Sequence, residues 1–221
     1  MEDFEKKVSI SDNNNNNNNN NNDDYDIKES MDGVREEINK KKALDLLRQF
    51  LAVQQRRALA YAHLKRGFEA YLVSGIESAY QQLCSSITVE FNDCSKQVIE
   101  IESSFKSPDC CRDDLADLLR SVQGQEKQKL QLTATIQVLK KAGRPSERPV
   151  SHDQCSFSGA MGHKCVHIHK ITEASGTEDA EADAEYDNAM KEAIKGIQDA
   201  VIAINENLEE VRYEIAALET Q

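Results

Sequence analysis

The chain has 221 residues, a formal net charge of −12 and 39% hydrophobic residues, enough for the core of one domain or of two small ones. It contains no run of about 18 apolar residues, which argues against a transmembrane helix. Its first residues do not combine a basic with an apolar segment as a secretory signal does. We therefore expect an intracellular protein, nuclear or cytoplasmic, whose six cysteines are reduced or bind metal.

Residues 1–32 begin the chain and include ten consecutive asparagines. Such a tract has nothing to bury and cannot offset the entropy lost on ordering, so we expect a disordered tail. With only three prolines and nine glycines in the whole chain, the remainder favours long helices.

Residues 34–73 form the first predicted helix, about 60 Å long at 1.5 Å per residue. Its apolar residues recur every three or four positions, with Gln54 and Lys65 as interruptions. These positions are Leu44, Leu47, Leu51, Ala58, Tyr61, Phe68 and Leu72. The segment also carries nine Lys/Arg against four Asp/Glu, a charge of +5 in an acidic protein.

A second helix is predicted to follow at once, because Ser74 and Glu77 have the spacing of a capping box. So short a connection implies an antiparallel hairpin. The helix should end near Pro108, and a third should run over residues 109–142. The predicted inward positions of the second helix are Ile76, Tyr80, Leu83, Ile87, Phe91, Cys94, Val98, Ile101 and Phe105. Those of the third helix are Leu115, Leu118, Leu119, Val122, Leu130, Thr133, Ile136 and Leu139.

A fourth helix is predicted over residues 178–221, after a linker at 143–177 and a capping box of Ser175 with Glu178. Its apolar residues follow a heptad pattern typical of coiled coils: Ile194, Ile197, Val201, Ile204, Leu208, Val211, Ile215 and Leu218. Residues 173–221 carry 14 Asp/Glu against three Lys/Arg, so the simplest expectation is attraction to the basic first helix. The predicted fold class is all-α, an elongated antiparallel bundle or coiled coil of three core helices (34–142) plus this C-terminal helix.

Three segments carry a resemblance to a known family. The first has Phe50, Gln54, Gln55, Arg56, Gly67, Phe68, Tyr71 and Leu72; the second has Tyr80, Leu83, Ile87, Thr88 and Phe91; the third is the run QGQEKQKLQLTAT at residues 123–135. Together they resemble the DNA-repair family named for the required-for-excision B protein, over residues 44–139. The resemblance implies an all-helical domain connected with DNA excision repair, and it carries no catalytic residues.

A cluster of cysteine and histidine residues in the linker is a candidate zinc site. Zinc binds four thiolate or imidazole ligands in a tetrahedron, and Cys155, Cys165 and His167, with His152 or His163 as the fourth, could supply them. The spacing matches no standard zinc finger, so the alternative is a loop in which the histidines are incidental. No other cofactor is expected.

Basic residues of the first helix could neutralise nucleic-acid phosphates or meet an acidic partner. They are Lys41, Lys42, Arg48, Arg56 and Arg57. Because the chain is acidic overall, a solvated or internally paired face is the favoured interpretation, with weak or no direct DNA binding.

No phosphate-binding glycine loop, catalytic triad or pair of catalytic carboxylates is recognisable, so we expect no enzyme. The function predicted from the resemblance is that of a non-catalytic helical factor in DNA excision repair, which binds proteins, including repair factors, through helical faces. The alternative is a coiled-coil scaffold or complex subunit unrelated to repair. Association with a second copy of the chain stays open.

Overall fold

Four α-helices account for most of the protein in a computed structural model that describes residues 21–148 and 173–220, with side chains described from 33 to 148 and from 179 to 220. They are α1 (Asn21–Ser74), α2 (Glu77–Phe105), α3 (Asp113–Ala142) and α4 (Glu173–Thr220), with a short 3₁₀ turn at Pro145–Glu147. No strand occurs in these two ranges. The predicted all-α fold is confirmed.

The chain divides into two units, residues 1–41 and residues 42–221. In the first unit, residues 21–41 are the beginning of α1, and Lys40 pairs with Glu37 at 3.8 Å. The helical bundle belongs to the second unit.

Two helices begin earlier than predicted. Helix α1 starts at Asn21 rather than at residue 34, because no proline or glycine stands between 21 and 32 and extending a formed helix is easier than nucleating one. The remaining part of the expected disordered tail, residues 1–20, lies outside the described residues. Helix α4 starts at Glu173, and Gly176 lies within it at a propensity cost of only about 1 kcal/mol relative to alanine.

The turn between α1 and α2 has the predicted length but not the predicted cap. Gly75 takes φ +69°, and its N–H donates to the carbonyl of Tyr71 at 2.8 Å. Ser74 is still helical in α1, so Ile76 becomes the residue that precedes α2. The hydroxyl of Ser74 accepts from the Ile76 N–H at 3.3 Å, and the predicted capping box with Glu77 does not form.

Helix α3 begins at Asp113, four residues later than predicted. The N–H groups of Cys110 and Cys111 both donate to the Ser107 carbonyl at 3.0 Å, in a turn that Pro108 starts and that places Cys111 at φ +48°. The Arg112 N–H donates to the carbonyl at the end of α2, also at 3.0 Å. These bonds occupy the residues that would otherwise form the first turn of α3.

The four helices alternate in direction. Tyr80 near the start of α2 donates to Gln137 near the end of α3 at 2.9 Å, so these two helices are antiparallel. At the other end of α3, the residue before it, Arg112, pairs with Glu214 of α4 at 2.9 Å. Helix α4 therefore runs antiparallel to α3 and completes an up-down-up-down bundle.

Helix α4 is part of the core rather than an appendage of a three-helix domain. Its Ile204 and Val211 are buried in one cluster with Phe50, Phe105 and Leu119 of the other helices. The predicted stripe is wrong at its start, where Ile194 is 44% exposed and Ala193 is buried instead. Further along, Ile197 and Val201 are only half-buried, and Ala200 is buried. The cause is a close approach to α3: a Cβ at Gly196 would lie 2.7 Å from Cδ1 of Leu132.

The predicted stripes of the first hairpin are confirmed except at three positions. Ala58, Leu72 and Ile76 are exposed, the last two because they lie at the hairpin turn. Two apolar clusters result. The larger includes Leu47 and Phe50, and the smaller consists of Ala60, Leu64, Ile87 and Phe91.

Candidate functional site

Two basic residues of α1 that the sequence placed at its surface, Arg48 and Arg56, pair with carboxylates of other helices. Arg56 lies 2.8 Å from Glu90 and 2.6 Å from Asp93 of α2, and the hydrogen bond to Asp93 raises the pKa of Arg56. Arg48 lies 2.6 Å from Glu219 at the end of α4. The predicted attraction between α1 and α4 thus reduces, within the described residues, to this one exposed pair.

The acidic residues of α4 pair instead with arginines that flank α3. Arg112 holds Glu214, and Arg144 contacts both Asp183 and Asp187. Because α3 is antiparallel to α4, an arginine at each end of α3 meets one end of the described part of α4. Of the other basic candidates in α1, Lys41 is exposed and Lys42 is half-buried.

Arg57 occupies a different environment, because it is 2% exposed. Its Nη2 donates to Ser95 Oγ at 3.3 Å and to Gln123 Oε1, so it joins α1 to α2 and α3. Burial lowers the pKa of Arg57, and the nearby Glu126 carboxylate opposes that shift. A surface role in phosphate binding, as the sequence suggested, does not fit this buried position.

Glu126 of α3 is the buried carboxylate of the same region, at 8% exposure. Its Oε2 lies 3.6 Å from Lys129 Nζ, and its backbone carbonyl accepts from the Tyr61 hydroxyl at 3.2 Å. Lys129 Nζ also lies 3.8 Å from the centroid of the Tyr61 ring, a cation–π contact. Burial raises the pKa of Tyr61 and lowers that of Lys129.

These residues and Gln54 form what we call the polar layer: Gln54, Arg57, Tyr61, Gln123, Glu126 and Lys129. Along α1, Gln54 and Arg57 lie between Val53, which belongs to the larger apolar cluster, and Ala60, which belongs to the smaller one. Both amide atoms of Gln54, Nη1 of Arg57 and Oε2 of Glu126 are buried without a hydrogen-bond partner among the described residues. Buried polar atoms in this state are few in most folded proteins and mark places of strain or function.

A cavity of about 400 Å³ opens beside the polar layer, between α1, α2 and α3. We call it the layer cavity. Its polar wall includes Arg57, Ser95 and Gln123, and its apolar wall includes Phe91 and Leu130. Its volume lies in the range of small-molecule pockets.

A second depression of about 300 Å³ lies toward the hairpin turn, between α1, α3 and α4. We call it the apolar groove. Its apolar lining residues are Tyr61, Phe68, Leu72, Ile136 and Ile197. Exposed Lys65 and Lys140 stand at its rim with Glu69.

The predicted zinc ligands, Cys155, Cys165, His167 and His152, lie outside the described residues, so the zinc prediction stays a prediction. Within the described ranges, no three His, Cys, Asp or Glu side chains are arranged to hold a metal ion. The vicinal Cys110 and Cys111 differ in exposure: Cys110 is buried, which raises the pKa of its thiol, and Cys111 is exposed.

Residues 45–140 match the family model described as DNA repair REX1-B. The resemblance inferred from the three sequence segments is therefore confirmed over almost the same range, and it indicates a role related to DNA repair. Neither the curated proteins nor the solved structures yielded a match. No helix in the described parts of the chain combines the length and apolarity that crossing a membrane requires.

The matched range contains the whole polar layer. Gln54 and residues 123–135 were part of the sequence resemblance, but Arg57 was grouped with the surface cations. The available signal was its spacing: Arg57 follows Gln54 by three residues, on the same face of α1 as the buried stripe.

Proposed function

We propose that this protein is a non-catalytic helical factor in DNA excision repair that acts by binding other proteins. The observation that carries the proposal is that Arg56 and Arg57 of α1 already have interactions within the protein. Arg56 is held by two carboxylates and Arg57 is buried, so a phosphate would have to displace existing partners. The family match supplies the link to repair.

The apolar groove is the surface that we assign to the partner. Its apolar floor would accept two or three side chains from one face of a helix, the usual mode of helix-in-groove recognition. Lys65 at the rim has an exposed contact with Glu69 at 4.0 Å, whereas Lys140 has no ion pair within the described residues, so this rim favours acidic residues beside those anchors. We therefore infer a partner segment that is an amphipathic helix with acidic flanks.

The test is complementation of cells that lack the protein. Leu72→Asp places a charge in the groove, whereas Val73→Asp places one at the neighbouring position, which is 91% exposed and outside the groove. We expect ultraviolet survival to be restored by the wild type and by Val73→Asp, but not by Leu72→Asp. Thermal melts of both variants establish that they are folded.

Two outcomes would contradict the proposal in different ways. Normal lesion removal in cells lacking the protein would remove the repair assignment and leave the coiled-coil scaffold as the better account. Tight binding to naked DNA, falling steeply with salt as phosphate contacts do, would replace the protein-contact mechanism. We expect weak DNA binding at low salt, and little further loss in Arg56→Glu.

A further inference from the structure

The layer cavity has one wall formed by a cation inside the bundle. Arg57 lines the cavity, and so do both acceptors of its Nη2 group, Ser95 Oγ and Gln123 Oε1. The Nη1 group is buried and has no hydrogen-bond partner among the described residues. A guanidinium presents its donors as a planar fork that suits a carboxylate or a phosphate.

The buried charges of the polar layer do not cancel. Arg57 and Lys129 are cations, and Glu126 is the one carboxylate among the six residues of the layer. Glu126, which also lines the cavity, lies 3.6 Å from Lys129 and attracts Arg57 as well, so one carboxylate is shared by two cations and one positive charge stays in excess. Burying an uncompensated charge is costly, and structures normally supply a partner for it.

The charged residues around the layer do not remove this excess. Arg56, Glu90 and Asp93 form a partly exposed group on the α1–α2 surface, where water screens it. At the cavity wall, Arg120 is already paired with Glu102 and Asp117. Lys127 is exposed at the same wall and has no ion pair within the described ranges, so it adds positive charge there.

We propose that the layer cavity binds a small ligand that carries one oxyanion group on an apolar body. The oxyanion meets Arg57, with Ser95 and Asn92 as neutral donors nearby. The apolar body lies against Phe91 and Leu130, which form much of the remaining wall. This ligand neutralises the excess charge of the layer, and the site is separate from the apolar groove assigned to the partner.

The test uses benzoate, its neutral isostere benzamide, and inorganic phosphate, each titrated into the full chain and followed by calorimetry and by thermal shift. We expect benzoate to bind and to raise the melting temperature, as a ligand of the folded state does. Benzamide should bind at least about tenfold more weakly, because charge-assisted hydrogen bonds are lost. Inorganic phosphate carries the oxyanion without an apolar body, so a comparison of its affinity with that of benzoate shows whether the apolar body contributes to binding.

Three variants locate the site. Arg57→Met should abolish benzoate binding, whereas Arg56→Met, at the adjacent, partly exposed position outside this cavity, should bind as the wild type does. Because Arg57→Met removes a buried charge and could unfold, Lys127→Glu at the exposed wall provides a second readout, with affinity lowered several-fold. Equal affinity for benzoate and benzamide, or no saturable binding of either anion at millimolar concentration, would overturn the proposal.

Discussion

Gly67 provides a test of how closely α1 and α2 approach each other. A Cβ at Gly67 would lie 1.8 Å from Cδ2 of Leu83 and 3.3 Å from its Cγ. In Gly67→Ala the end of the Leu83 side chain must shift, and overpacking of this kind costs about 1–3 kcal/mol. Alanine recovers about 1 kcal/mol of helix propensity. The expected net change is a loss of about 0–2 kcal/mol in the free energy of unfolding.

Gly124 is the matched control, because it lies in the interior of α3 and a Cβ there would meet nothing within 4 Å. Gly124→Ala should therefore gain about 1 kcal/mol from propensity alone. The two substitutions are chemically identical, so their difference of about 1–3 kcal/mol reports the helix contact at Gly67. Urea denaturation followed by far-ultraviolet circular dichroism measures both.

A double-mutant cycle assigns the cost to Leu83. Leu83→Ala removes the side chain that the new methyl group would strike, so the double variant should be more stable than the sum of the single effects by about 0.5–3 kcal/mol. If Gly67→Ala stabilises the protein as much as Gly124→Ala does, α1 and α2 do not approach at this point. Additive single effects would refute the assignment to Leu83.

Three further predictions concern other parts of the chain. Val211→Asp puts an unpaired carboxylate into the core and should lower the free energy of unfolding by several kcal/mol; an unchanged melting temperature and unchanged mass by light scattering would mean that α4 packs elsewhere. If the linker binds zinc, elemental analysis should find about one zinc per chain in the wild type and none in the Cys155→Ser, Cys165→Ser double variant; equal, near-zero zinc in both would end that proposal. The hydrogen bond from Arg112 lowers the pKa of Asp114, so this carboxylate stabilises the fold above its unfolded pKa of about 3.9 and loses that effect as the pH falls through its lower folded value. Asp114→Asn should consequently be slightly less stable than the wild type near neutral pH and equal to it in strong acid, as denaturation at a series of pH values would show.

The stripe of α2 could be predicted because its apolar residues continue without interruption. Ile87, Phe91, Cys94 and Val98 repeat every three or four positions, and all four are buried. Helix α4 shows the limit of this reasoning. A heptad template selects the large residue Ile194, whereas close packing of Gly196 on α3 selects the small neighbours of that position. The distance between two packed helices depends on the residues of both helices, so the sequence of one helix alone does not predict it.

Arg56 and Arg57 show why charged residues that adjoin in sequence do not form one surface. Successive residues of an α-helix are turned by about 100° from each other. That rotation directs Arg56 toward the carboxylates of α2 at the surface and Arg57 into the bundle. A count of basic residues along the helix places both in one patch, and only the position of the buried stripe separates them.

The polar layer was visible in the sequence as interruptions of apolar stripes, but its assembly was not. Gln54 breaks the stripe of α1, and Glu126 occupies the position between Val122 and Leu130 in the stripe of α3. Taken alone, each polar residue is most simply interpreted as an exposed residue at the edge of the apolar stripe. Their meaning depends on register: the alignment of α1 with α3 places Gln123 beside Arg57 and the Glu126 carbonyl beside the Tyr61 hydroxyl. The family match spans both helices over these residues, whereas α4, beyond the matched range, adds apolar packing. The residues that carry the resemblance therefore include a buried ionic group that apolar packing alone would not require, and that group is where a function specific to the matched domain is best sought.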